Sequence, residues 1–316
     1  MIRVFYIQND ELVWEKHPKG LVLDPTLRYI WIDLLRADQA DRKKVEDFFG
    51  VTLQTYQEAV EIESSSRYNE DADSIKANSG FLSKVEHPEI QQVSFLLKGA
   101  WLFTVRNAEL NAFAETVRKI KVARQDFIQS GAQIWLLLLE ARIDADADYI
   151  EYLTRTTTYI SRGIQKQSDF EGTTLRKIAE LQENTILIRE SITDKQRLIS
   201  ALLKSPFVDD PIRERLRVIM KDVLSLLQHT QFSFERLEYL QNTLLGLVNI
   251  EQNKIIKIFT VASVVFMPPT LIASIYGMNF GVMPELGWSF GYPAAIVLMF
   301  LSSALTLLYF KRKKWL

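Results

Sequence analysis

Hydrophobic and polar positions follow three regimes along this chain, and each regime predicts a different kind of element. Through residues 1–130 the apolar runs are short and rich in β-branched and aromatic residues. Those at residues 4–7, 29–34, 92–97 and 101–105 read as strands, the last two joined as a hairpin across Lys98-Gly99. Residues 41–49 read as helix, with Val45, Phe48 and Phe49 on one side. Residues 69–80, rich in Asp, Asn and Ser, read as an exposed connection. From about residue 130 to 204 strand signals vanish and long helices are expected, broken near residues 168–172. Residues 135–139 are apolar but too short and too close to charge to span a bilayer, so they are expected to form a buried helix face.

The third regime is one very long helix followed by a second apolar run. Pro206 and Pro211 bracket a linker, and Asp210 as N-cap with Pro211 as first helical residue forms a start signal. No proline follows until Pro268, so helix is predicted from Pro211 to Tyr276, about 66 residues or about 100 Å at 1.5 Å per residue. Its apolar residues recur at Ile212, Leu216, Ile219, Val223 and Leu226, then Leu237, Leu240, Leu244 and Leu247, in alternating steps of four and three. Such a seam needs partner helices, from residues 130–204 and from copies of the same helix in an oligomer. Residues 255–276 carry one charge, Lys257, and residues 292–310 carry none, so each is long enough to cross a hydrocarbon core about 30 Å thick. The predicted class is a membrane protein of α+β type. Its parts are a cytosolic α/β domain (1–130), a cytosolic helical segment (131–210), a stalk helix (211–254), a first span (255–276), an outer loop (277–291), a second span (292–310) and a basic tail (311–316).

Charge fixes the expected orientation. Lys254 and Lys257 stand at the start of the first span and four Lys or Arg follow the second, whereas the loop between has none, so both termini are expected in the cytoplasm. The N-terminus reads as a strand, with no cleavable leader expected. The loop's one charge, Glu285, is either a cation-attracting carboxylate at a pore mouth or an ordinary solvated side chain. A net charge of −1 gives no reason to expect nucleic acid as a partner, and the absence of cysteine excludes disulfides and thiolate metal sites. His17, His87 and His229 are scattered, no phosphate-binding loop occurs, and no nucleophile, base and acid cluster is visible, so neither an enzyme nor a resident cofactor is expected.

Steps of four and three through the first span collect Asn253, Ile256, Thr260, Ser263, Met267, Thr270 and Ser274 on one face. The faces between carry Ile255, Phe259, Val261, Val264, Val265, Phe266, Leu271 and Ile272. Asn249, Gly246 and Asn242 prolong the small and polar stripe toward the cytosol. A helix wetted on one side needs this asymmetry, although small and hydroxyl residues also permit close helix packing. Met267 and Ile256 would place apolar rings in such a pore, able to gate by dewetting or simply packed, and Pro268-Pro269 is expected to bend the helix beside them. In the soluble part, Glu140, Asp144, Asp148 and Glu151 share one helical face while Ile143, Ala147 and Ile150 share the other. Asp144, Asp148 and Glu151 are candidates for a regulatory metal that relieves their repulsion; a plain solvated face is the alternative.

At the end of the first span stands Tyr276-Gly277-Met278-Asn279-Phe280, followed by Met283-Pro284-Glu285-Leu286, Phe290-Gly291-Tyr292-Pro293 and the tail Lys311-Arg312-Lys313-Lys314-Trp315-Leu316. This block resembles the CorA family of divalent-cation channels, whose signature is Gly-Met-Asn at the end of the first of two C-terminal membrane helices. Trp31-Ile32-Asp33-Leu34, Ile62-Glu63 with Ser66-Arg67-Tyr68, and Phe103-Thr104-Val105-Arg106 are more loosely similar to the family's cytosolic domain. The resemblance implies a homopentamer in the inner (plasma) membrane, first helices inside, passing Mg2+ and also Co2+ and Ni2+, with membrane lipid around it. Gly277, Met278 and Asn279 are then the selectivity filter. Mg2+ gives up its waters reluctantly, so a ring of Asn279 amide oxygens that accepts hydrogen bonds from bound water suits it, with the Gly277 carbonyl contributing and Met278 packing. Zinc transport, as in the related ZntB branch, and a two-span sensor with a ligand-binding cytosolic domain are the other readings.

Overall fold

The computed structural model describes residues 1–9, 11–17, 21–61, 67–83, 88–122, 128–166 and 172–313. Contacts divide the chain into two units, Met1–Gln241 and Asn242–Leu316. Ile62, Glu63, Ser66, His87 and the last three tail residues lie outside the described residues, as does most of the predicted break at 168–172.

In the first unit the strands are β1 (Ile2–Gln8), β2 (Glu11–His17), β3 (Arg28–Leu35), β4 (Tyr68–Glu70), β5 (Ser74–Ser83), β6 (Glu89–Lys98) and β7 (Trp101–Arg106). They form one sheet in the order β2-β1-β3-β7-β6-β5-β4, antiparallel except for the central β3–β7 pair. The β6–β7 hairpin turns at Gly99, whose φ of 56° favours glycine. Helix covers both faces. On one side Val45 and Phe49 of α1 (Gln39–Phe49), which the short α2 (Tyr56–Glu61) follows in the chain, pack on Ile32, Leu34 and Phe103. On the other, Phe113 of α3 (Asn111–Val122) tilts over Trp31, and Trp135 of α4 (Gly131–Lys166) stacks on Phe95 with centroids 5.2 Å apart. Residues 135–139 thus belong to a buried helix face. A seven-residue-long β3 burial on both faces is what a central strand between two helical layers requires.

Two sequence motifs meet at the centre of this sheet. Asp33 of β3 accepts from Arg106 of β7 through both carboxylate oxygens, at 2.9 and 2.7 Å, and from the Thr104 hydroxyl at 2.9 Å; the Trp31 indole N–H donates to Thr104 at 3.0 Å. All four side chains are fully buried, and the Trp31, Thr104 and Arg106 donor groups each find an acceptor, the Arg106 Nη1 at the Ala108 carbonyl, which is what lets an ion pair sit inside a sheet.

Two expectations fail here and one strand goes unread in the sequence. Residues 69–80 are not an exposed connection but most of β4 and β5, and β5 is buried along nearly its whole length. Its polar residues are inside because partners satisfy them: Ser94 donates to Asn78 at 2.7 Å, and Ser79 donates to Asp194 at 2.9 Å. β2 was not anticipated at all; it is a half-exposed edge strand whose Glu and Lys obscure the alternation. Phe48, expected beside Val45 and Phe49, is exposed.

Two long helices follow the sheet, α4 and α5 (Gly172–Leu202), before α6 (Asp210–Tyr276) begins one residue earlier than predicted, with the Arg213 N–H bonded to the Asp209 carbonyl at 2.9 Å. Ile212, Leu216, Ile219, Val223, Leu237, Leu240 and Leu244 are buried, and Thr230 and Ser233 continue the same seam through the gap in its apolar pattern. The Thr230 hydroxyl avoids an unpaired burial by donating to the Leu227 carbonyl at 2.8 Å. Within the first unit α6 is tied to α4 and α5: Arg215 grips Glu140 at 2.6 to 3.1 Å, Arg236 donates to Thr158 at 3.1 Å, and Gln182 donates to Gln241 at 3.2 Å.

In the second unit α6 runs unbroken through Pro268 and Pro269 to Tyr276. After a loop with a short 3-10 turn at Pro284–Gly287, α7 (Gly291–Arg312) follows.

Candidate ion pathway

Pro268 and Pro269 supply no backbone N–H, so the carbonyls four residues earlier, Val264 and Val265, lose their helical donors. The Ser303 hydroxyl of α7 donates to the Val265 carbonyl at 3.3 Å. That bond places α7 against the face of α6 formed by Val261, which is buried, and by Val264, Val265, Pro268 and Ile272, which are half-buried. Asn253, Ile256, Thr260, Ser263, Met267, Thr270 and Ser274 are all exposed on the opposite side. Ser263 and Val265 are two residues apart, about 200° round the helix at 3.6 residues per turn. The stripe therefore faces away from the chain's own second helix.

Stripe hydroxyls are partly used by the helix itself. Thr260 donates to the Ile256 carbonyl at 2.8 Å and Thr270 to the Phe266 carbonyl at 2.7 Å, so each keeps its oxygen lone pairs outward as acceptors. Acceptors without competing donors suit a path for hydrated cations. Ile256 and Met267, 61 % and 64 % exposed, interrupt the polar surface with apolar side chains.

Helix α6 stops where the Gly277 N–H closes the last turn on the Ala273 carbonyl at 2.9 Å and the Met278 N–H bonds the Ile275 carbonyl at 3.2 Å. Met278 and Asn279 are exposed, and within the described residues no hydrogen bond engages the Asn279 side chain. Its amide is thus free to meet a ligand outside the chain. Glu285, in the first turn of the 3-10 segment, is exposed and makes no ion pair among the described residues.

The acidic face of α4 is more neutralised than its spacing suggests. Glu140 is held by Arg215, Asp144 by Lys119 of α3 at 3.2 Å, and Glu151 by Arg155 at 2.5 Å. Asp148 lines a cavity of about 630 Å3 with Glu89, Glu109, Arg142 and Tyr149. Among the described residues no three acidic or histidine side chains converge as a metal site. Ile143 and Ile150 are buried as expected, but Ala147 is exposed.

Periodicity missed the charge cluster on α4's inner side. Asp146, fully buried, pairs with Arg142, while Lys195 of α5 stands 3.6 Å from its other oxygen. The Lys195 ammonium donates to the Gly80 carbonyl at 2.9 Å, the Ser191 carbonyl at 2.8 Å and the Ser191 hydroxyl at 2.6 Å. Beside it Asp194 takes Arg67 at 2.9 Å, the Ser79 hydroxyl at 2.9 Å and the Gly80 N–H at 3.0 Å. Burial pushes Lys195 down to about 8, with Asp146 opposing, and burial likewise lowers Arg142. The cluster binds β5, α4 and α5 together.

A sheet domain with long helices, together with two helices that each hold an exposed stretch long and apolar enough to cross a membrane, defines the class of a candidate two-span membrane protein. The chain belongs to the CorA family: the family model described as CorA-like Mg2+ transporter protein matches residues 27–312. The magnesium transport protein CorA of Wolinella succinogenes is 41% identical over 299 residues, covering 92% of each chain. That of Escherichia coli K12 is 37% identical over 321 residues and covers both chains completely. Among solved structures, the complete CorA magnesium transporter of Methanocaldococcus jannaschii superposes with a TM-score of 0.82 at 17% identity, over 100% of this chain and 99% of that one. At that identity the likeness is one of fold.

Proposed function

We propose that this chain is the subunit of a passive, membrane-potential-driven Mg2+ influx channel, also open to Co2+ and Ni2+, assembled as a homopentamer in the inner membrane with both termini cytoplasmic. The observation that carries the reading is the exposed stripe from Asn253 to Ser274, turned away from α7 and ending at an Asn279 amide with no hydrogen-bond partner among the described residues. Two spans cannot enclose water, so copies of α6 must turn their stripes toward a common axis. There Gly277, Met278 and Asn279 form the filter, and Asn279 binds the ion through its waters without stripping them. Glu285 raises cation concentration at the mouth. Ile256 and Met267 form the dewetting constrictions. A divalent ion moving inward gains about 4.6 kcal/mol per 100 mV, twice the value for one charge, so no fuel is needed.

Regulation in this reading uses the α4 face. Internal Mg2+ bridges Asp144, Asp148 and Glu151 to a neighbouring subunit, displacing Lys119 and Arg155 as counter-ions. Such a site needs two copies to be complete.

Flux of Mg2+, Co2+, Ni2+ and Zn2+ into proteoliposomes, for the native chain and Asn279→Ala, tests the proposal. We expect Mg2+ uptake in the native chain and its loss in the variant, with insertion and oligomer size unchanged, because only the acceptor ring is deleted. Wild-type Mg2+ flux in Asn279→Ala removes Asn279 from the filter, and uptake of Zn2+ alone replaces the substrate.

A further inference from the structure

Tyrosine occurs in α7 at two positions, Tyr292 and Tyr309. They are seventeen positions apart, about 26 Å at 1.5 Å per residue, close to the thickness of a hydrocarbon core. Lys311 and Arg312 follow the inner tyrosine. Outside the outer one the chain places Trp288 and Phe290. These three aromatic side chains are 67 %, 77 % and 79 % exposed for Trp288, Phe290 and Tyr292, and none has a ring contact or side-chain hydrogen bond among the described residues.

They are held by a built turn. The Gly291 N–H donates to the Trp288 carbonyl at 3.0 Å and the Ala294 N–H to the Phe290 carbonyl at 2.9 Å. Gly291 lies so close to the Glu285 carbonyl oxygen that a Cβ there would collide with it. The loop segment from Glu285 is therefore locked to the first turn of α7, and the rings are presented from a fixed frame. Glu285 is the only charge between Gly277 and Gly291. Amphipathic rings next to an apolar span and away from charge fit the boundary between headgroups and acyl chains.

We propose that Trp288, Phe290 and Tyr292 are a lipid-interface anchor, seated in the headgroup layer of the outer leaflet, that fixes the height of the loop carrying Glu285. The proposal rests on α7 lying in the bilayer, so its test reads both points separately. A single cysteine at Phe290 or at Phe300, midway along α7 and exposed, can carry an environment-sensitive fluorophore because the chain has no other cysteine. The labelled full-length protein, checked for oligomer size, is placed in phosphatidylcholine vesicles containing lipid with a nitroxide near the headgroup or deep in the acyl chain. The Phe290→Cys label should be quenched about twofold more strongly by the shallow nitroxide, and the Phe300→Cys label by the deep one. Trp288→Cys should repeat the order of Phe290→Cys. Quenching at 290 by aqueous iodide alone, or by neither reagent, overturns the anchor in favour of water or of a neighbouring subunit. Failure of the deep nitroxide to reach the label at 300 overturns the membrane placement of α7 itself.

Discussion

A lysine ammonium with no path to water, as at Lys195, is held only by the oxygens that face it, here from Gly80 and Ser191 at hydrogen-bond distance and Asp146 further off. Arg142 competes for the same carboxylate, so the buried cluster is short of negative charge. Desolvation lowers Lys195 from its ordinary 10.5 to about 8. Below about 8 the folded and unfolded chains both carry the proton and the full penalty of the buried charge is present. Between about 8 and 10.5 the unfolded chain holds the proton and the folded one does not, so stability rises with pH through that window. Lys195→Met should flatten this rise, measured by thermal unfolding across pH in the native chain and the variant. An unchanged slope would assign the pH dependence to other groups. The cluster was not legible in the sequence, because Asp146 sits among the surface acids of α4 and nothing in its neighbours marks it as the inward one. Asn279 stands out as a candidate in the sequence because the residues on either side of it carry the family resemblance.

Helix α6 shows where pattern reading works and why it fails elsewhere. Its start, its seam and its end are marked by prolines, by steps of four and three, and by glycine, all local signals. β4 and β5 carry no such signal. Their buried Asn78 and Ser79 look like loop residues, and only Ser94 and Asp194, from other elements, make them tolerable inside. The membrane part of α6 also carries a testable sidedness. Cysteines at Thr260, Ser263 and Thr270 should react with a water-soluble thiol reagent in the assembled protein, whereas those at Val261 and Val265, covered by α7, should not. Equal labelling of the two sets would remove the stripe as a water path.

In the proposed symmetric assembly of the whole molecule, weak local effects add up to a switch. If internal Mg2+ joins α4 faces of neighbouring copies, each copy adds a small differential affinity, and several together supply the few kcal/mol that move a two-state gate. Asp144→Asn combined with Asp148→Asn should then weaken Mg2+ protection of the soluble domain against proteolysis and shift the dependence of current on internal Mg2+. Matching curves would leave this face as solvated surface paired to Lys119 and Arg155. The bond from Ser303 to the Val265 carbonyl has a consequence for how the protein is made. During synthesis the ribosome delivers α6 before α7, so the first span reaches the translocon with a carbonyl that has no donor until Ser303 arrives. An unpaired carbonyl in hydrocarbon costs about 1–3 kcal/mol, enough to favour integration of the two spans as a pair. A chain stopped before Gly291 should therefore be extracted from membranes by alkaline carbonate more readily than the full chain, with Ser303→Ala in between.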